Sequence, residues 1–168
     1  MSKKFSDNKG LTLIELLIAI GIFSIVAVIF LSTFVTFLKS ARQISSSQQV
    51  AENVRYAADI MTREIRTGSS YNIISVSEIA FTNFKNESVD YKLENDIIRR
   101  SSDGGISFFD LTAPSISVND LKIIGGGLDS SDNLQSKITI IINASAKDAD
   151  QSSSPVILQS SVSARNFE

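Results

Sequence analysis

The chain of 168 residues contains no cysteine, no histidine and no tryptophan, and only two prolines. Without His or Cys there is no Ser-His-Asp or Cys-His nucleophile pair, no thiolate chemistry, no haem or iron–sulfur ligation by Cys, and no ordinary zinc site. Catalysis would have to rest on carboxylates, lysine or serine, and the sequence reads as a non-enzyme without a cofactor. The missing cysteines also exclude a disulfide framework, so cysteine usage leaves the compartment open. Charge of either sign is scarce as well. Sixteen Lys and Arg stand against 18 Asp and Glu, a net of −2, which supplies no basic field to gather nucleic acid by counterion release. No nucleic-acid partner is expected.

What the chain does have is one long apolar run. Leu11–Leu38 holds 21 hydrophobic residues in 28 and a single ionisable one, Glu15. At about 1.5 Å per residue a helix of that length covers roughly 42 Å, enough to cross a hydrocarbon core. The alternative, a buried globular helix, is rarely so long or so uniformly apolar. Lys3, Lys4 and Lys9 precede the run against one acid, Asp7, and Lys39 and Arg42 follow it. With so short a leader, the N-terminus is expected to stay cytoplasmic and the rest of the chain to be translocated. A secretory signal peptide fits poorly, because its apolar region spans only about 7–15 residues and ends in a small-residue cleavage site.

A carboxylate five residues into such a helix costs on the order of a few kcal/mol unless it is partnered or hydrated at the headgroup level. The residues around Glu15 favour a purpose. Lys9-Gly10-Leu11-Thr12-Leu13-Ile14-Glu15-Leu16-Leu17-Ile18-Ala19-Ile20 resembles the N-terminal signature of type IV pilins and type II secretion pseudopilins. The resemblance implies that a prepilin peptidase cuts after Gly10 and N-methylates the new first residue, Leu11, which stands where Phe is commonest. It further implies that Glu15 pairs with the freed α-amine of a neighbouring subunit and so draws the chain into a filament. Physically, Gly10 lets the backbone enter a peptidase cleft unhindered, and two opposite charges attract in a low-dielectric bundle where each alone would be penalised. Other implied partners are further pilin or pseudopilin subunits, an inner-membrane assembly platform and membrane lipid. The expected location is the cytoplasmic membrane, with the C-terminal part outside it, and then a pilus or pseudopilus.

Beyond Leu38, residues Ala41, Ile44, Ala51, Val54, Ala58, Met61 and Ile65 recur at three, four or seven positions, interrupted by Gln48. This is an amphipathic helix. Asp59 and Arg63 stand at i,i+4, no proline intervenes, and Gly68 is placed as a C′ stop. One helix from about Leu11 to Thr67, roughly 85 Å long, is expected. Gly21, Ser24, Ser32, Thr33 and Thr36 are the small or polar residues within its apolar part and would allow close helix approach. The run has no central proline, which many major pilins carry, so the resemblance leans towards an accessory subunit.

After Gly68 the period shortens to two. Val89, Tyr91 and Leu93 alternate with polar residues, Asn95-Asp96 turns, and Ile97–Arg100 returns, a hairpin. Further strands are expected over Tyr71–Val76, Ile79–Phe84, Ile106–Leu111, Ile116–Ile124, Lys137–Ala146 and Val156–Arg165, with Ile141 half-buried on the outer side of its strand. Loops are expected at Gly104-Gly105, from Gly125-Gly126-Gly127 to Asn133, and over Ala146–Pro155. Asp129 and Asp132 are weak oxygen-ligand candidates for calcium, and a solvated loop is the simpler reading; Asp148 and Asp150 are read the same way.

The expected fold is therefore α+β: one long N-terminal helix packed on an antiparallel β-rich head. The divisions are a cleaved basic leader at 1–10, a transmembrane and assembly helix at 11–38, its amphipathic continuation at 39–67, and a globular head at 68–168. The segment 53–66, the residues Leu93–Arg99 and the terminal Val162–Asn166 are also similar to the J-type minor pseudopilins of type II secretion and related minor pilins. The leading function is a processed minor structural subunit of a type II secretion or type IV pilus system. Two alternatives stand beside it: a DNA- or surface-binding minor pilin, for which only Arg99-Arg100 are adjacent cations on the head, and an uncut, single-pass, signal-anchored membrane protein.

Overall fold

A computed structural model describes residues 12–128, 135–147 and 155–163. The chain divides into two compact units, Met1–Arg42 and Gln43–Glu168. Helix α1, Leu13–Arg66, is followed by β1 (Ser69–Ser75), β2 (Glu78–Thr82), β3 (Ser88–Glu94), β4 (Ile97–Ser101), β5 (Phe109–Asp110), β6 (Ile116–Gly126), β7 (Lys137–Ala146) and β8 (Val156–Ser163). The expected α+β architecture is present, with all strand pairings antiparallel.

In the first unit the helix is apolar on every side, and its large side chains from Leu13 to Leu38 are solvent-facing. A helix without a polar face is made for an apolar surrounding. The four hydroxyls between Leu13 and Leu38 are satisfied internally: Ser24 donates to the Ile20 carbonyl at 2.8 Å, Ser32 and Thr33 both donate to Ile29, and Thr36 donates to Ser32. Back-bonding of this kind removes the cost of a bare hydroxyl in lipid.

The second unit is built on two sheets, ordered β1-β2-β3-β4-β5 and β6-β7-β8. Val50, Val54, Ala57, Ala58, Met61 and Ile65 of α1 are buried in one core with Ile79, Phe81, Val89, Tyr91 and Ile98 of the first sheet and the inward side of the second. Each fully buried branched side chain contributes about 1.5–3 kcal/mol. The helical stripe starts later than its sequence periodicity suggests: Ala41, Ile44 and Gln48 are exposed, and burial begins at Val50. Asp59 and Arg63 form no ion pair with each other despite their spacing, and both are exposed. The sheets are stitched together through main-chain bonds from Val118 to Asp96 at 2.8 Å and from Ile123 to Val76 at 2.7 Å.

Turn chemistry sets several boundaries. Asn95 and Asp96 have φ of 52° and 62°, the left-handed pair of a tight hairpin turn. The strand expected at Ile79–Phe84 stops at Thr82 because Asn83 Oδ1 takes the amides of Lys85 and Glu87. The strand expected at Ile106–Leu111 shrinks to Phe109–Asp110. There the Asp103 carboxylate accepts from the amides of Ile106 and Ser107, and Ser101 Oγ accepts from Gly105, which takes those donors out of any ladder.

Two glycines play different parts from those the sequence suggests. Gly68 does not end the helix in a left-handed turn; a Cβ there would lie 2.6 Å from Phe81 Cδ2, so its role is close packing. Gly125 and Gly126 belong to β6, paired with Ile138 and Lys137, and not to a loop. A Cβ on Gly125 would meet the side-chain tips of Leu128 and Ile73, which occupy the space a side chain would take. Ile141 is half-buried, as its sequence position implies.

Candidate assembly and processing site

The start of α1 is set by Thr12. Its carbonyl accepts the first helical bond from Leu16 at 3.2 Å, and its Oγ1 accepts from the Glu15 amide at 3.3 Å. Thr12 is thus the N-cap and Glu15 the third helical residue. Thr-x-x-Glu is the spacing of a capping box, of which the threonine half is formed. A carboxylate in the first turn is stabilised by the helix dipole by about 0.3–1 kcal/mol. This offsets part of the cost of placing Glu15 in an apolar setting. Glu15 is exposed and has no basic partner among the described residues.

This geometry explains why a threonine stands three positions before the acid, a signal the sequence carries in the capping-box pattern but that periodicity alone passes over. Gly10 and Leu11 lie outside the described residues, as do Asp129, Asp132, Asp148 and Asp150. Among the described residues no three His, Cys, Asp or Glu side chains gather as a metal site would require. An open depression on the apolar helix is lined by Ser32, Thr33, Thr36, Phe37 and Ser40 and contains no titratable group.

The N-terminal geometry coincides with a known pattern. Residues 5–31 match the prokaryotic N-terminal methylation motif. The match covers Gly10, Leu11, Thr12 and Glu15 together with the first half of the apolar run, and it supports the resemblance to pilins and pseudopilins at this end of the chain. No curated protein and no solved structure matches the chain. Helix α1 is long and apolar enough to cross a membrane, which together with the motif is consistent with an inner-membrane location. The comparison bears on the N-terminus and leaves the head to its own chemistry.

On the head, the sequence singled out Arg99-Arg100 as a cation pair. Arg100 faces the helix, where Nε and a terminal nitrogen bind the two oxygens of Glu64 at 3.0 and 2.7 Å; the Tyr91 hydroxyl also donates to Glu64. Burial pushes the Tyr91 phenol well above its usual range, and the hydrogen bond to Glu64 adds to this. Hydrogen bonding to Glu64 likewise raises Arg100. Arg99 is held by Glu94 at 2.7 Å and Asp110 at 2.9 Å. The adjacent cations are therefore both neutralised by carboxylates and point to different partners.

Proposed function

We propose that the chain is a prepilin-type structural subunit, cut after Gly10 by a prepilin peptidase, methylated at Leu11 and assembled as a minor subunit of a type II secretion or type IV pilus system. The single observation that carries this reading is the coincidence of the methylation motif at 5–31 with an apolar helix capped by Thr12 at Glu15. Thr12 fixes the first turn at the end of the helix where the dipole attracts an anion, and there the α-amine of a neighbour replaces hydration as the partner of Glu15. The apolar helix holds the subunit in the cytoplasmic membrane with the N-terminus cytoplasmic and the head outside. In the filament it exchanges lipid for neighbouring helices, with Gly21 as a place of close approach.

The divisions at 1–10, 11–38, 39–67 and 68–168 follow from this reading as leader, membrane helix, scaffold helix and head. The absence of a central proline supports an accessory place, of which the J-type subunit is one form. Arg99 and Arg100 are each committed to carboxylates, which disfavours the DNA-binding alternative. The test is Gly10→Asp in cells with a prepilin peptidase. The variant is expected to accumulate at full length in the membrane and to be absent from sheared filaments; processing and assembly like the wild type would overturn the reading.

A further inference from the structure

Among the described residues the two sheets have four edge strands, and three of them are closed or broken. β1 pairs through two register irregularities, at Ser69/Asn72 and Ile73/Ser75. β5 is two residues long. β6 carries a bulge between Val118 and Asp120, and its outward amides at Val118 and Ile123 bond to Asp96 and Val76. Short strands, bulges and covered amides are the devices by which sheets avoid unwanted pairing.

β8 has none of them. Its eight residues, Val156 to Ser163, pair with β7 in unbroken register from Val156–Ala144 to Ser163–Lys137. The strand contains no charge and no proline. Among the described residues no group bonds to its outward main-chain N–H and C=O. On its core-facing side Val156 and Leu158 pack against the core yet stay half-exposed, as residues do when the next strand position beside them is empty.

We propose that the free edge of β8 accepts an extended strand of a different polypeptide chain, uncharged and alternating apolar with small polar side chains. Main-chain hydrogen bonds would hold it, and apolar residues at every second position would cover Val156 and Leu158, continuing the core by one strand. A charged strand would place ions against an edge that offers no counter-charge. A second copy fits less well, because no antiparallel β8–β8 register that overlaps five or more residues sets apolar side chains opposite both Val156 and Leu158. The open edge itself stands whether or not Gly10 is cleaved.

The test uses the full chain in detergent micelles and a blocked synthetic peptide of the sequence Val-Ile-Leu-Gln-Ser-Ser-Val-Ser as a neutral alternating strand. A free peptide has no anchoring helix and can pair in either direction. Hydrogen exchange with the peptide present is expected to slow at amides of 156–163 and nowhere in β1 or β5. A second peptide, N-methylated at alternate residues so that its outward donors are gone, is expected to bind at least about tenfold more weakly. Absence of protection in β8, or equal binding of the methylated peptide, would overturn the proposal. Protection of β8 that rises with protein concentration and without peptide would overturn the choice of a different chain, since the occupant would then be a second copy.

Discussion

Glu64, near the end of α1, and Arg100, on β4, form a two-point ion pair with oxygen–nitrogen distances of 2.7 and 3.0 Å, and both side chains are largely covered. Arg100 lies 36 positions after Glu64, and the pair joins the scaffold helix to β4 of the first sheet. Removing one partner leaves the other charge half-buried without its counter-ion.

Arg100→Ala is therefore expected to destabilise the head by about 2 kcal/mol, the scale of hydrogen bonds to a charged group. Urea unfolding of the solubilised chain measures this. A double-mutant cycle with Glu64→Ala should show strong coupling, and additive losses would mean that the pair contributes nothing as a unit.

Asp90 on β3 is buried, and its Oδ1 has no hydrogen-bond partner among the described residues. Burial raises its pKa, the nearby Glu78 adds to the rise, and Lys92 opposes it. A carboxyl whose folded pKa exceeds its unfolded value binds more protons when folded, so stability falls as pH climbs from the ordinary carboxyl range through the raised value. Asp90→Asn should remove that fall, making the variant more stable than wild type at neutral pH and not at pH 3. Denaturation midpoints across this range decide it.

Asp103 shows the reverse sign. Hydrogen bonds from Ser101, Ser107 and Ile106 hold its carboxyl below the usual range. Its contribution is present above the ordinary carboxyl pKa and lost as pH falls towards the lowered value. Asp103→Ala should free the amides of Ile106 and Ser107, seen as faster hydrogen exchange confined to that loop.

Gly68→Ala places a Cβ 2.6 Å from Phe81 Cδ2 and 3.0 Å from the Thr82 carbonyl oxygen. Overpacking against a ring and a main-chain atom is expected to cost about 1–3 kcal/mol. A left-handed cap would tolerate asparagine better than alanine, whereas close packing predicts a larger loss in thermal midpoint for Gly68→Asn than for Gly68→Ala.

Legibility in the sequence followed the length scale of each interaction. The helix was readable because its apolar run is continuous and lacks proline, and β7 was readable to the residue because Ile138, Ile140, Ile142 and Ala144 alternate without interruption. The strand expected at 106–111 failed because its fate rests on Asp103, whose competition for the amides of Ile106 and Ser107 is not part of the period-two pattern. Gly125 misled for the opposite reason: a glycine that suggests a loop sits in a strand, paired with Ile138 and covered by the side chains of Leu128 and Ile73. Arg100 looked like a surface cation because its partner, Glu64, is distant in sequence. At the N-terminus Glu15 was legible as an anomaly of charge, whereas the capping role of Thr12 lies in a Thr-x-x-Glu spacing that periodicity passes over and the helix geometry brings out.

Processing at Gly10 is the central claim, and mass spectrometry of the N-terminal peptide from the membrane fraction tests it most directly. The account predicts a chain that begins at Leu11 and bears an N-methyl group. A chain that begins at Met1 or Ser2 would contradict it and leave an uncut membrane-anchored protein.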